Sequence, residues 1–133
     1  MTLILLYALT LALFLGLDVL GLTYVVKPIF ERDIGDMLLD SPRYGPALIF
    51  YAFYVAALLV FVSWPAIQGD WPLGRVFWMA GLIGAMAYGT YEFTNLATLK
   101  GWSWRMVLTD LTWGSLLTAT SATLGVWLTR VTL

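Results

Sequence analysis

Residues 3–26 read LILLYALTLALFLGLDVLGLTYVV, and Asp18 is the only charged residue in this run. An α-helix rises about 1.5 Å per residue and the hydrocarbon core of a bilayer needs roughly 20 apolar residues, so the segment is long enough to cross a membrane. It has neither a basic leading region nor a small-residue cleavage site. The run therefore predicts a retained membrane span and not a signal peptide.

The composition of the whole chain agrees with a lipid environment. Of its 133 residues, 61% are hydrophobic and only 11% are charged, which lies outside the range of ordinary soluble domains. The chain has no Cys and no His, which excludes disulfides, thiol nucleophiles and the usual zinc and haem ligands. We therefore expect no cofactor and no metal. The net charge of -1 provides no basic surface for nucleic acid, so we expect none as a partner.

Three further segments are long and apolar enough to span, at about 44–64, 74–99 and 104–129. Strands of a membrane barrel would be shorter and would alternate apolar with polar residues, so helices are favoured. Because the connections between the last three spans are short, successive spans run in opposite directions. The fold class predicted for residues 1–133 is all-α: a single transmembrane domain, an integral membrane four-helix bundle of up-down topology.

The connection at 27–43 carries much of the charge of the chain. Within it, Phe30, Ile34, Met37 and Leu38 recur at helical spacing, which is typical of a short amphipathic helix lying at the headgroup level. A solvated loop is the alternative, and the sequence leaves both open.

Basic residues predict the orientation, because cytoplasmic flanks of membrane spans are enriched in Lys and Arg. Only Arg75 and Arg130 flank the spans on the side of the two termini. The opposite side has Lys27, Arg32, Arg43, Lys100 and Arg105. This bias predicts a multi-pass membrane protein with both termini on the side away from the cytoplasm.

Small residues recur every four positions on the last two spans, where they allow helices to approach closely. The third span has Gly81, Ala85 and Gly89, and the fourth has Gly114, Thr118 and Ala122. Gly and Ala are common in membrane helices, so either set alone is weak evidence. Together they predict that these two helices pack against each other.

Three acids lie inside the spans, where an ionisable group is costly and normally faces protein or water. Asp18, Glu92 and Asp110 each lie roughly 8 to 13 Å along a helix from a basic residue at the same end. Glu92 and Asp110 also share the phase of the small-residue sets. We therefore predict a polar pocket for a ligand or partner, formed by Asp18, Tyr88, Tyr91, Glu92, Thr94, Asn95, Asp110 and Trp113.

Two structural explanations compete with a functional pocket. The acids can form interior ion pairs with Lys27, Arg43, Lys100 or Arg105 and so fix the register of the helices. Alternatively, one or two of them, Asp110 above all, can reach back to the cytoplasmic interface without a role.

Two stretches also resemble a known family. They are Tyr-Glu-Phe-Thr-Asn-Leu-Ala-Thr-Leu-Lys-Gly-Trp at 91–102 and Asp-Leu-Thr-Trp-Gly at 110–114. They are similar to the signature of a group of small bacterial four-span membrane proteins that is classified as a domain of unknown function. Members usually have Asp at the position of Glu92 and Trp at that of Gly21. The resemblance covers nearly the whole chain. It implies the fold and the setting, a bacterial inner membrane in which the side of the two termini is the periplasm, but it implies no activity.

Three functional classes remain open. The first is a protein that binds a membrane lipid or small amphiphile, or serves as an accessory subunit that docks other membrane proteins or a second copy of itself. The second is a membrane enzyme that acts on a lipid or isoprenoid by carboxylate acid-base chemistry. The third is a small proton-coupled transporter. The sequence identifies no catalytic residue and leaves enzymatic activity undecided.

Overall fold

The computed structural model describes all 133 residues, and its regular structure is entirely helical. Helix α1 (Thr2–Gly21) continues through a π-helical turn (Leu22–Val26) into α2 (Lys27–Ile34), which ends in a 3-10 turn (Gly35–Met37). Helix α3 (Tyr44–Leu58) continues through a second π-helical turn (Leu59–Ser63) into α4 (Trp64–Gly69). Helices α5 (Leu73–Thr98) and α6 (Trp104–Thr132) complete the chain. The predicted all-α membrane bundle is confirmed.

Two helical segments, Thr2–Met37 and Tyr44–Gly69, are long and apolar enough to cross a membrane by length and composition. Helices α5 and α6 have comparable lengths, 26 and 29 residues, but they carry more polar side chains. In α6 many of the polar side chains are buried, among them those of Thr118, Ser121 and Thr129. A helix that packs on several neighbours presents less surface to lipid and tolerates such residues.

Each π-helical turn directly precedes a proline-containing helix. Pro28 and Pro65 both lie in the first turn of the helix that follows. Proline has no N–H to donate and its ring crowds the carbonyl of the preceding helical turn. A widened turn accommodates that missing bond without ending the helix, so both segments stay continuous.

Helix α2 settles the choice that the sequence left open for the first connection, because residues 27–34 are helical and not a loop. Ile34 is buried, and the Phe30 ring packs edge-on against Trp102, with 5.5 Å between ring centroids. Met37 and Leu38 are exposed, and Leu38 has an extended backbone beyond the end of the helix. The predicted four-residue apolar face is therefore wrong in its second half, since its first half packs on the protein and the helix has ended before Leu38.

Helix α6 is central, and it packs most extensively on α5 and next on α1. Its buried row includes Gly114, Thr118 and Ala122, the residues predicted for close packing. On α5 the tightest approach is at Gly84, where an added Cβ would lie 2.8 Å from the Gly114 carbonyl oxygen. The small residues predicted for α5 border α6 less closely, since a Cβ added at Gly81 or Gly89 would lie 3.5 Å from Ala119 or Leu111 of α6. Gly81 and Gly89 have ordinary van der Waals room, and Ala85 is half-buried.

The remaining core lies toward the end of the bundle that holds the chain termini. Side chains of α1 and of the α3–α4 segment meet there, including the fully buried Leu6, Phe14, Val55, Leu58 and Val62. The opposite half of α3 is different. From Tyr44 to Phe53 no residue is fully buried, and α3 contacts the bundle from Tyr51 onward, where the Tyr51 ring packs on Phe14 and the Ala52 carbonyl accepts a hydrogen bond from Tyr7.

Candidate functional site

The three intramembrane acids come from three different helices and are all buried. Asp18 on α1 is 4% exposed, Glu92 on α5 is 0% exposed and Asp110 on α6 is 8% exposed. The carboxyl of Asp110 is the immediate neighbour of that of Glu92, and it also lies close to Asp18. The structure therefore brings together, in one cluster, the three acids that the sequence singled out. We refer to them as the carboxyl cluster.

The polar contacts of the carboxyl cluster are mainly with aromatic side chains. The indole N–H of Trp102 donates a hydrogen bond to Oε1 of Glu92 at 3.0 Å, whereas Glu92 Oε2 is buried without a hydrogen-bond partner. Asp18 lies beside the hydroxyl of Tyr51 and the indole of Trp113. The Trp113 nitrogen is buried and has no partner in hydrogen-bonding geometry.

No basic residue pairs with the cluster. The ion pairs of the chain join Lys27 to Glu31, Arg105 to Asp33 and Arg130 to Asp70. The interior ion pairs considered as an alternative from the sequence are therefore not formed, because no Lys or Arg nitrogen lies within 4.0 Å of the three carboxyls. A buried carboxyl group without a cationic partner is costly to ionise and is uncommon unless it serves a function.

Aromatic rings form the wall above the carboxyl cluster. Tyr54 lies between Phe14 and Tyr88, with ring centroids 5.6 and 6.5 Å apart respectively. Phe14 also contacts Tyr51, at 5.3 Å. The hydroxyl of Tyr54 bonds to Thr118 at 2.9 Å. The wall thus separates the acids from the apolar core by a layer that has hydroxyl groups as well as rings.

The other residues predicted for the pocket lie at different distances from the acids. Tyr88 and Trp113 border the carboxyl cluster, Tyr88 against Gly114 and Trp113 against Gly21. Tyr91 is 53% exposed and lies with Asn95 at the rim, next to the ring of Trp102. Thr94 is exposed, and its carbonyl accepts a bond from the Thr98 hydroxyl along the helix. Thr94 therefore does not line the cluster.

Sequence reasoning missed three residues that touch this region, namely Tyr51, Tyr54 and Trp102. The two tyrosines stand in an apolar span without a polar neighbour to mark them. Trp102 is not among the residues predicted for the pocket. Its position two residues after Lys100, at the end of the stretch that begins with Tyr91 and Glu92, is the one signal that links it to the acids.

A second polar cluster joins α2 to the start of α6. The Ser103 hydroxyl donates to the Asp33 carboxylate and accepts from the backbone N–H of Met106, so it caps α6. Arg105 donates to the same carboxylate from Nε and a terminal nitrogen. These bonds, first those from Arg105 and then that from Ser103, hold the pKa of Asp33 below its usual value. We refer to Asp33, Ser103 and Arg105 as the clasp.

Comparison with known proteins gives one result that bears on these residues. Residues 3–127 match a family model described as "Predicted membrane protein (DUF2177)". The chain belongs to the DUF2177 family. The match contains all three acids, the clasp and Trp102. No curated protein and no solved structure matches the chain. DUF2177 is a domain of unknown function, and in this DUF2177 protein the buried carboxyls are the groups able to carry chemistry.

Proposed function

We propose that this protein binds a membrane lipid or another small amphiphile through the carboxyl cluster. One observation carries the proposal: three buried carboxyls lie together, beside Tyr and Trp side chains, and none has a basic partner. A bundle stabilised only by packing does not need these groups, because apolar residues of similar size are at least as stabilising as buried ionisable ones. Polar groups grouped below an apolar core are instead suited to an amphiphilic ligand.

The setting in the membrane is part of the proposal. All four long helical segments span the bilayer, which is a bacterial inner membrane, and both chain termini lie in the periplasm. The basic residues flanking the opposite ends of the helices support this orientation. It places the carboxyl cluster in the cytoplasmic half. The amphiphile reaches the cluster from the side, between α3 and α5, where the first half of α3 has no buried residue and Tyr54 of α3 meets Tyr88 of α5.

The test is to purify the protein gently from native membranes and to quantify the lipids and proteins that remain bound. We compare the wild type with Glu92→Gln and with Glu31→Gln as the matched control, because Glu31 is an exposed glutamate on α2 that pairs with Lys27. We expect one amphiphile to be enriched over bulk lipid in the wild type and in the control, and to be depleted several-fold in Glu92→Gln.

Other outcomes distinguish the remaining classes. Lipid of bulk composition in all three proteins contradicts amphiphile binding. A stoichiometric membrane protein that is retained in place of a lipid indicates an accessory subunit, whose small-residue faces dock a partner helix.

A second candidate function is an enzyme acting on a lipid or isoprenoid. The adjacency of the Glu92 and Asp110 carboxyls supports it, because two neighbouring carboxyls can divide the roles of acid and base. Its signature is a bound amphiphile whose chemical structure changes during incubation with the wild type but not with Asp110→Asn. A proton-coupled transporter of the same ligand would instead move it across vesicles without changing it.

A further inference from the structure

Trp102 is the point where the water-exposed end of the bundle meets the carboxyl cluster. Its indole N–H bonds to Glu92 Oε1 at 3.0 Å, and Glu92 has no exposed surface. The indole is half-buried, in the short connection between α5 and α6. A side chain in this position lies between the buried carboxyl and the aqueous phase beyond the helix ends.

The indole is held by two other rings. Phe30 of α2 and Tyr91 of α5 both meet it edge-on, with centroid distances of 5.5 and 5.8 Å and an interplanar angle of 86° in each case. Edge-to-face pairs of this kind contribute roughly 0.5–1.5 kcal/mol each beyond the burial of area. The orientation of Trp102 therefore depends on α2 as much as on the helix that carries Glu92.

The residues on either side of Trp102 are also fixed to α2. Gly101 has a positive φ of 82° and lies against the end of α2, where an added Cβ would be 3.7 Å from Ile34 and 3.9 Å from the Asp33 carbonyl oxygen. On the other side, Ser103 and Arg105 form the clasp with Asp33. The connection and the end of α2 are thus joined at several points around the indole.

We propose that Trp102 closes the carboxyl cluster toward the aqueous phase and that α2 holds it closed. Displacement of α2 withdraws the ring of Phe30 and opens the clasp, which frees the indole to leave Glu92. The chain that follows α2, from Gly35 to Pro46, is exposed throughout, so a force on this surface segment reaches α2 directly. The inference rests on the proposed function only in that it concerns access to the same carboxyl.

Chemical labelling of Glu92 tests the closure without any ligand. Purified protein is treated with a water-soluble carbodiimide plus glycine ethyl ester, and separately with dicyclohexylcarbodiimide, which reaches carboxyls from the lipid side. The extent of modification at Glu92 is measured by mass spectrometry of peptides. The variants are Trp102→Ala, Trp102→Phe and Phe30→Ala. The matched control is Trp104→Ala, since Trp104 is 61% exposed and contacts Phe93 instead of Phe30.

We expect Glu92 of the wild type and of Trp104→Ala to react only with the lipid-soluble reagent. Trp102→Ala should increase modification by the water-soluble reagent at least about tenfold, which corresponds to a change of roughly 1.4 kcal/mol in the closing equilibrium. Phe30→Ala should increase it by a smaller factor although its side chain does not touch Glu92. Trp102→Phe retains a ring but no N–H, and its labelling should lie between those of the wild type and Trp102→Ala.

Equal labelling of the wild type and Phe30→Ala, or free access of the water-soluble reagent to the wild type, would overturn the proposal. So would Trp102→Ala and Trp102→Phe proteins that melt like the wild type and label like it. These outcomes are separate from the failure of amphiphile binding. Retention of lipid by Glu92→Gln would contradict amphiphile binding, but it would not change the labelling expected at Glu92 in the wild type and in the Trp102 and Phe30 variants.

Discussion

The hydroxyl of Tyr54 lies 2.9 Å from that of Thr118, which itself donates to the carbonyl of Gly114 at 2.8 Å. Because a threonine hydroxyl has a single proton, Tyr54 is the donor of this pair. The chain of bonds runs from α3 to α6 directly above the carboxyl cluster. It is the polar link that fixes the second half of α3 to the central helix.

This assignment predicts unequal effects of removing either partner. Thr118→Val leaves the buried Tyr54 hydroxyl without an acceptor and should lower the free energy of unfolding by about 1–3 kcal/mol. Tyr54→Phe should cost less, roughly 0.5–1.5 kcal/mol, because Thr118 retains its bond to Gly114. Unfolding in mild detergent measures both. In the Tyr54→Phe background, the effect of Thr118→Val should shrink, and strict additivity would contradict the link.

Gly84 should be the most sensitive small residue of α5. An alanine Cβ there would lie 2.8 Å from the Gly114 carbonyl oxygen and 2.9 Å from the Thr118 side chain. Because α5 and α6 must move apart to admit this Cβ, Gly84→Ala should lower the free energy of unfolding by about 1–3 kcal/mol. At Gly89 the nearest atom would be the Leu111 side chain at 3.5 Å, so Gly89→Ala should be neutral or stabilising. Thermal unfolding of the two variants measures this difference. A larger loss of stability for Gly89→Ala than for Gly84→Ala would contradict a closest approach of α5 and α6 at Gly84.

Glu92→Gln should leave the bundle stable. Removing one member of a buried ion pair costs roughly 3–5 kcal/mol because it strands the other charge, but no basic residue faces Glu92. The side-chain carbonyl of the introduced glutamine can still accept the hydrogen bond that the Trp102 indole donates. We therefore expect a change below about 1 kcal/mol in the free energy of unfolding, and no further effect of adding Lys27→Gln or Lys100→Gln. Poor folding that either second substitution rescues would contradict the arrangement.

The clasp should make stability depend on pH in the acid range. Since Arg105 and Ser103 lower the pKa of Asp33 in the folded protein, the bonds stabilise the protein fully above the unfolded pKa of Asp, about 3.9. The contribution is lost as the pH falls through the lower, folded pKa. The stability difference between the wild type and Asp33→Asn should therefore be constant above about pH 5 and shrink below about pH 4. A stability difference between the wild type and Asp33→Asn that grows as the pH falls would contradict this prediction.

The orientation is open to a direct measurement. Reporter tags at either terminus should be read from the periplasmic side, because Lys27, Arg32, Arg43, Lys100 and Arg105 flank the opposite ends of the helices. A tag inserted after Leu39, in the exposed stretch beyond α2, should give the opposite readout. Cytoplasmic signals from tags at both termini would show that the protein has the opposite orientation.

Much of the helical bundle follows from the sequence, because long apolar runs admit few other structures in a membrane. The acids were also recognisable, since Asp18, Glu92 and Asp110 are costly in apolar segments and share one depth. The packing face of α5 was less accessible. The sequence pattern predicts a packing face that contains Gly81 and Glu92, whereas the buried row passes through Ala80 and Gly84. Rows at i±4 wind around a helix, and neighbouring helices follow such rows when they cross.

The aromatic contacts could not be predicted for a different reason. Tyr51 and Tyr54 come close to this region because α3 packs on α1 and because the Tyr54 hydroxyl reaches Thr118 of α6, and no local sequence pattern encodes those contacts. The role of Trp102 likewise depends on a tertiary contact with Phe30, seventy-two positions away along the chain. Such pairs become visible only when both partners are placed in space.

The π-helical turn at Leu22–Val26 also sets the angular phase between α1 and α2. In an α-helix each residue advances the side-chain direction by about 100°, so a turn with one surplus residue rotates everything after it relative to everything before. Because of this rotation, Asp18 faces the other two acids of the carboxyl cluster while Phe30 faces Trp102. Deleting one residue from this turn would keep both helices intact and rotate Phe30 away from Trp102, whereas a deletion within 38–43 would leave the phase unchanged. We therefore expect a change of chain length to be tolerated in the segment after α2 and to disrupt the contact of Phe30 with Trp102 when it falls in the π-helical turn before α2.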